Sequence, residues 1–256
     1  MPAPYYSIVV PAFNEAERIG PSLDRILAFI QERNWAAEII VVNDGSRDNT
    51  AAVVNEFARL NPKVRLLDNP GNRGKGYSVR NGMMNAAGQV LLFTDADLSS
   101  PIEEAEKLFA IIESGQADIA IGSRYLRSEL QTRKQPLYRR LLGRTFNLAL
   151  RTILGLSYAD TQCGFKAFTR KAAISIFPGM KIEGWGFDPE ILFLARRYGL
   201  RVVEVPVSWA HDHRSKINPV LDGARMFSEL MRVRVNSMSG KYLSPTAQAR
   251  VVTKTA

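Results

Sequence analysis

The sequence predicts an α/β fold in which a mostly parallel sheet is covered by helices. Three observations predict it. Short apolar runs alternate with longer segments of helical spacing through the first half of the chain. The runs are uninterrupted and rich in β-branched residues, as strands buried on both faces must be. The main strands end in polar or acidic residues, PAFNE after the first, NDGS after the second and TDAD after the fourth. Those endings fall on the rim where open parallel sheets bind ligands.

Residues 6–10 form the first run. Residues 15–33 come next, with Ile19, Leu23, Ile26, Leu27 and Ile30 on one helical face. A second strand at 39–42, a helix at 48–60, a third strand at 64–67 and a helix at 74–87 continue the alternation. The fourth strand, 90–93, leads into a helix at 101–112, with Ser99 or Ser100 as its cap and Pro101 in its first turn. The run ADIAIG at 117–122 reads as a further strand.

The second half changes character. Arg124, Arg127, Arg133, Lys134, Arg139, Arg140, Arg144 and Arg151 are met by one acid, Glu129. Within 137–151, Arg140, Arg144, Asn147 and Arg151 form one stripe, opposite Tyr138, Leu142, Phe146 and Ala149. A helix lying in a membrane interface has this pattern. Residues 160–169 are compact and polar-aromatic, 187–198 read as a helix and 201–208 as a strand. Val220, Ala224, Phe227, Met231 and Val235 make an apolar stripe, with Arg225 and Arg232 on the far side. Residues 1–240 are therefore expected to be one domain with interface helices at about 137–151 and 219–236. Residues 241–256 are expected to be a flexible tail.

Composition narrows the function. Hydrophobic residues make up 46% of the 256, which excludes wholesale disorder. Cys163 is the only cysteine, so no intrachain disulfide forms, and with His211 and His213 alone a structural zinc site of the usual kind is excluded. Cys163 is expected to be a packed thiol. No apolar run approaches the roughly 20 residues that span a bilayer, and the N-terminus lacks signal-peptide features. The expected location is cytoplasmic, peripherally associated with a membrane. A net charge of +9 asks for an anionic partner. Nucleic acid is disfavoured, because acids gathered on the sheet rim would repel its phosphates.

Asp95 and Asp97 carry the candidate chemistry. D-x-D alone fits a solvated turn, with Asp97 capping the next helix. Its place after a buried strand, on a rim shared with Glu15 and Asp44, favours a site instead. Hard carboxylate oxygens suit Mg²⁺ or Mn²⁺, which can bridge phosphate oxygens. GNRGKGYS, residues 71–78, fits neither the dinucleotide nor the P-loop motif. Its glycines, Arg73 and Lys75 ahead of a helix leave a phosphate loop and a solvated turn equally open.

Together, VVPAFNEAERI, VVNDGSRDNT, GNRGKGYSVRNGM, FTDADLSS, AIGSRY, DTQCGFKAFTR and GWGFDPEILFLAR resemble one family over about residues 5–217. It is the inverting family 2 glycosyltransferases of the GT-A fold, in the polyprenyl-phosphate sugar transferase branch. DTQCGFKAF is similar to the glucosyl members. The resemblance implies a Rossmann-like GT-A fold and metal-dependent transfer of a hexose, glucose from UDP-glucose, to a polyprenyl or dolichyl monophosphate. A GDP-mannose-dependent enzyme, or a family 2 transferase with another acceptor, is the alternative.

The resemblance also implies roles by position. Pro11, Ala12 and Glu15 would line the nucleotide pocket, with Asp44 reading the base and Lys75, Asp95 and Ala96 near the nucleotide sugar. Asp95 and Asp97 would hold Mg²⁺ or Mn²⁺. Arg124 and Arg139 or Arg140 would receive the lipid phosphate, with Gln162 in the acceptor region and Ser215 and Lys216 on a closing loop. Asp97, Asp188 and Arg124 would form the catalytic set. Ser99 stands where the mannosyl branch often carries a metal-contacting glutamine. The implied partners are a nucleotide sugar, a polyprenyl phosphate and an anionic membrane surface.

Overall fold

The computed structural model of the chain describes residues 3–127, 131–133, 148, 150–210 and 221–242. Arg139, Arg140, Ser215 and Lys216, nearly all of the 137–151 segment, residues 219–220 and residues 243–256 lie outside the described residues.

Alternation produces β1 (Tyr6–Ala12), α1 (Ala16–Glu32), β2 (Ala37–Asn43), α2 (Thr50–Leu60), β3 (Val64–Asp68), α3 (Lys75–Asn85) and β4 (Val90–Thr94). After them come α4 (Ala105–Glu113), β5 (Ile119–Ser123), β6 (Gln131–Arg133), β7 (Phe165–Thr169), α5 (Arg170–Ile176) and α6 (Phe187–Arg197). The described chain ends with β8 (Val202–Pro206), β9 (Trp209–Ala210) and α7 (Leu221–Met238). Seven strands form one sheet in the order β3-β2-β1-β4-β7-β5-β8, and β6 and β9 pair separately. The seven-stranded sheet is parallel except for β7, which runs antiparallel to both β4 and β5.

Strand side chains alternate between two cores. Ile8, Val10, Ile39, Val41 and Leu92 face α1, α2 and α4. Val9, Ile40, Val42, Leu91 and Phe93 face α3, α5, α6 and α7. Both faces of the sheet are thus buried, which is why β4 and the centres of β1 and β2 are written as continuous apolar runs.

Two expectations need correction, and one stretch gains an element. Pro101 is extended (ψ 142°) and precedes a 3₁₀ turn, Ile102–Glu104, so α4 starts later and neither Ser99 nor Ser100 caps it. The compact stretch 160–169 carries an element of its own. Its end is β7, and Thr169 caps α5 by accepting a hydrogen bond from Ala172 N. The tail does not begin at residue 241. Tyr242 is 2% exposed. Its hydroxyl donates to Glu190 Oε1 at 2.6 Å, a carboxylate that also accepts the amides of Lys181 and Ile182.

α7 is two-faced. Leu230, Val233 and Asn236 are buried, while Phe227, Met231, Val235 and Met238 are exposed among Arg225, Arg232 and Arg234. No described helix is long and apolar enough to cross a membrane.

Tyr242→Phe should lower unfolding free energy in urea by about 1.5–3 kcal/mol, the worth of a hydrogen bond to a charged group. An unchanged midpoint and slope would show that the C-terminal segment is not held this way.

Candidate active site

The rim is built from the ends of β1, β2, β4 and β5. The reversed strand β7 adds its beginning to the same edge. Pro11 and Ala12 are buried at the end of β1, in register with Val42 and Asn43. Beyond them Asn14 takes a left-handed turn (φ 54°), which asparagine tolerates. Its Oδ1 accepts from Arg47 N, and its own amide donates to Ser46 Oγ. Glu15 is tied to Arg18, Nε to Oε2 at 2.5 Å. Between the starts of α1 and α2 lies a groove of about 590 Å³ lined by Asn14, Glu15, Arg18, Arg47, Asp48 and Asn49.

Asp44 is buried and largely occupied by the chain. Its Oδ1 accepts from Asn69 Nδ2 and Arg73 N, and its Oδ2 from Gly74 N, all at 2.8–2.9 Å. It ties the end of β2 to the loop that delivers Lys75. Gly74 turns that loop at φ 101°, a conformation closed to most side chains.

Lys75 opens α3 with its ammonium 2.5 Å from Asp95 Oδ1. It also lies 5.2 Å from the Trp185 ring centre and 5.9 Å from that of Phe187. Burial works against its charge, but Asp95 and Asp188 outweigh burial and hold the ammonium above its ordinary pKa. Asp97 sits in a tight turn. Leu98 has φ 47°, and Ser99 N donates to Asp97 Oδ1 at 2.9 Å. The other Asp97 oxygen is 4.0 Å from Arg18 Nη1. Burial, then the neighbouring Asp95, push the Asp97 carboxyl up. Ala96 is buried between them, and its carbonyl accepts from Ser22 Oγ. Gly164 backs directly onto Asp95, where a Cβ would run into the carboxylate.

Asp188 stands in the first turn of α6, where a helix favours an acid. Fully buried Lys166 reaches it from near the start of β7 while donating to the Cys163 carbonyl at 2.6 Å. Burial nevertheless leaves the Asp188 carboxyl raised, against the pull of Lys166 and Lys75. Cys163 is a packed thiol, pushed up to about 12 by burial and by Asp160.

Arg124, at the end of β5, is engaged by Asp160. Its Nε and Nη2 donate to the two carboxylate oxygens at 2.7 and 2.8 Å, and its backbone amide adds a third bond at 3.0 Å. Burial alone would raise Asp160, but Arg124 overrides it and holds the carboxyl below its usual range. Gln162 is half-buried, with Nε2 3.6 Å from Met226 Sδ.

The four acids of the rim therefore share an edge without forming a ligand cluster. Glu15 has Arg18, Asp44 has backbone amides, and Asp95 has Lys75. Among the described residues no three of His, Cys, Asp and Glu close on one point. That donor set still fits a small divalent cation. Mg²⁺ typically takes one or two carboxylates and completes its shell with waters and substrate phosphates. Asp95 and Asp97 are such a pair.

Sequence reasoning missed Arg18, Asp160, Lys166 and Trp185 as participants. Lys166 carried a signal: a lone cation inside the apolar run FKAF is buried and must be paired.

An open α/β sheet with one reversed strand, and two acids beside a lysine at the end of a central strand, define a glycosyltransferase of the GT-A type. The glycosyl transferase family 2 signature matches residues 7–177, and the chain belongs to that family. Dolichyl-phosphate beta-glucosyltransferase ALG5C of Trichomonas vaginalis is 39% identical over 92% of this chain and 72% of its own. The dolichyl-phosphate beta-glucosyltransferases of Saccharomyces cerevisiae and Homo sapiens are 36% and 31% identical. They cover 93% and 94% of this chain and 76% and 78% of their own. Among solved structures, glucosyl-3-phosphoglycerate synthase of Mycobacterium tuberculosis, crystallised with Mn²⁺, UDP and glucosyl-3-phosphoglycerate, superposes with a TM-score of 0.69. At 20% identity over 90% of this chain and 80% of that one, the likeness is one of fold.

Asp160→Asn should destabilise the fold by roughly 1.5–3 kcal/mol in denaturant titration, because it removes the buried carboxylate that holds two donors of the half-buried Arg124 guanidinium. The lowered carboxyl of Asp160 adds stability that is complete above about pH 4, the ordinary aspartate value, and is lost as pH falls through its folded value. Wild-type stability should decline across that acid window, and the asparagine variant should decline less.

Proposed function

We propose that the chain transfers glucose from UDP-glucose, with inversion, to a dolichyl or polyprenyl monophosphate at the cytoplasmic face of a membrane. Relatives named for that reaction support the reading across nearly the whole chain. The observation that carries it is the charged Lys75 held at Asp95, with Asp97 and Asp188 around it on one rim.

Asp95 and Asp97 would hold Mg²⁺ or Mn²⁺, whose Lewis acidity offsets charge on the departing diphosphate. Lys75 adds a second cation to that charge. Pro11, Ala12, Glu15, Asp44 and Ala96 line the nucleotide side. On the acceptor side, Arg124, Arg139, Arg140, Gln162, Ser215 and Lys216 gather the lipid phosphate. A phosphate monoester with a second pKa near 6 is largely dianionic at neutral pH, so it attacks without a general base. Asp188, bound to Lys166, then orients groups near the sugar instead of taking a proton. Asp160 aims Arg124 by fixing two guanidinium donors.

The outer face of α7 suits an anionic leaflet. Phe227, Met231, Val235 and Met238 can enter the headgroup boundary while Arg225, Arg232 and Arg234 meet lipid phosphates. Each cation near such a surface is worth about 1 kcal/mol.

Purified protein given radiolabelled UDP-glucose, Mn²⁺ and dolichyl phosphate should move label into the organic phase. A chelator should abolish transfer and added Mn²⁺ or Mg²⁺ restore it. Asp97→Asn should slow it by roughly 10²–10³-fold, as when one preorganised charge-stabilising group is lost. Labelled lipid formed from GDP-mannose and not from UDP-glucose would overturn the proposed donor.

Co-sedimentation with phosphatidylserine vesicles tests the membrane face. Phe227→Asp with Met231→Asp, or Arg225→Glu with Arg232→Glu, should shift the protein to the supernatant. Binding equal to that of the unmodified chain would defeat the assignment of this face.

A further inference from the structure

The chain between α5 and α6 touches the donor-side loop on one side and the C-terminal helix on the other. Residues 183–186 read Glu-Gly-Trp-Gly. Both glycines face Glu229 of α7. A Cβ on Gly184 would run into the Glu229 carboxylate, and one on Gly186 would lie 2.9 Å from the Glu229 Cβ. Glu229 Oε2 accepts the amide of Gly186 at 2.7 Å. Trp185 is thus pinned between two residues that could not be larger without losing the contact.

The other side of this turn meets α3. Glu183 O accepts from Tyr77 N at 3.1 Å, and the Glu183 carboxylate pairs with Arg73 at 2.9 Å. Gly76 leaves no room for a Cβ against the carbonyls of Ile182 and Gly184. The indole, 39% exposed, lies 5.2 Å from the Lys75 ammonium, within cation–π range. An unbroken set of contacts therefore runs from Glu229 through Gly186 and Trp185 to Lys75 and on to Asp95.

We propose that Glu229 is a positioning residue for the donor site: its carboxylate fixes the Gly184–Trp185–Gly186 turn so that the indole holds Lys75 where it meets a nucleoside diphosphate. This rests on the reading of Lys75 as a donor-side residue. The role needs an oxygen acceptor at Gly186 N and does not need a negative charge. Glutamine should serve and alanine should not.

The test measures the Kd of UDP in saturating Mn²⁺, and KM and kcat for UDP-glucose. Glu229→Ala should raise Kd and KM roughly tenfold, the scale of one lost hydrogen bond or cation–π contact, with a smaller effect on kcat. Trp185→Leu should match it, and the double variant should be no worse than either alone. Glu229→Gln should bind like the wild type. Wild-type affinity in a folded Glu229→Ala protein, full additivity in the double variant, or a glutamine variant as weak as the alanine would each overturn the inference. If the alanine variant does not fold, tight binding by Trp185→Leu overturns it on its own. Lys75→Met separates the two levels. Undiminished UDP binding there sinks the donor-site reading itself, whereas weakened binding there with an unaffected Glu229→Ala sinks only the role of Glu229.

Discussion

The ion pair between Lys75 and Asp95 is the constraint around which the rim is arranged. Asp95, Asp97 and Asp188 are drawn from two elements and brought into partial or full burial, where unpaired carboxylates are costly. The fold answers with Lys75 from α3 at Asp95 and Lys166 from β7 at Asp188, while Asp97 has the Ser99 amide and lies within the field of Lys75. The helices and strands that cover the sheet are therefore also the carriers of its charge balance. The loop that delivers Lys75 lies against Gly45 on one side and Glu183 on the other, and Asp44 holds that loop by its amides.

Much of this was legible in the residues, for a physical reason. Strands buried on both faces have no choice but continuous apolar runs, so β1, β2 and β4 are plain in the text. An amphipathic helix such as α1 declares its inner face by spacing. The acids were legible because each comes directly after such a run, and one end of a parallel sheet is shared by all its strands. β7 was hidden because FKAFT interrupts its apolar pattern with a lysine, which Asp188, far along the chain, and the Cys163 carbonyl make tolerable. The engagement of Arg124 by Asp160 was equally invisible. Nothing local in AIGSRY distinguishes an arginine kept for substrate from one already holding a carboxylate 36 residues away. Pro101 misled in a different way, since proline suits a first helical turn and an extended lead-in alike.

α7 shows how one helix can serve two surfaces. Leu230, Val233 and Asn236 seat it on the domain, and Tyr242 beyond its end is buried against Phe193 and Glu190. The exposed stripe of Phe227, Met231 and Val235 is consequently not a remnant of poor packing. The helix is anchored well enough elsewhere to leave those side chains outside.

The reversal of β7 has a consequence for how the molecule can diversify. Parallel strands present to the edge only the loops that trail them, as β1, β2 and β4 do here. A strand running the other way presents the loop that leads into it, and residues 160–164 reach the same edge as a leader instead of a trailer. The two halves of the edge are thereby written in separate stretches of chain. A change in the leader therefore need not disturb the loops that trail β1, β2 and β4.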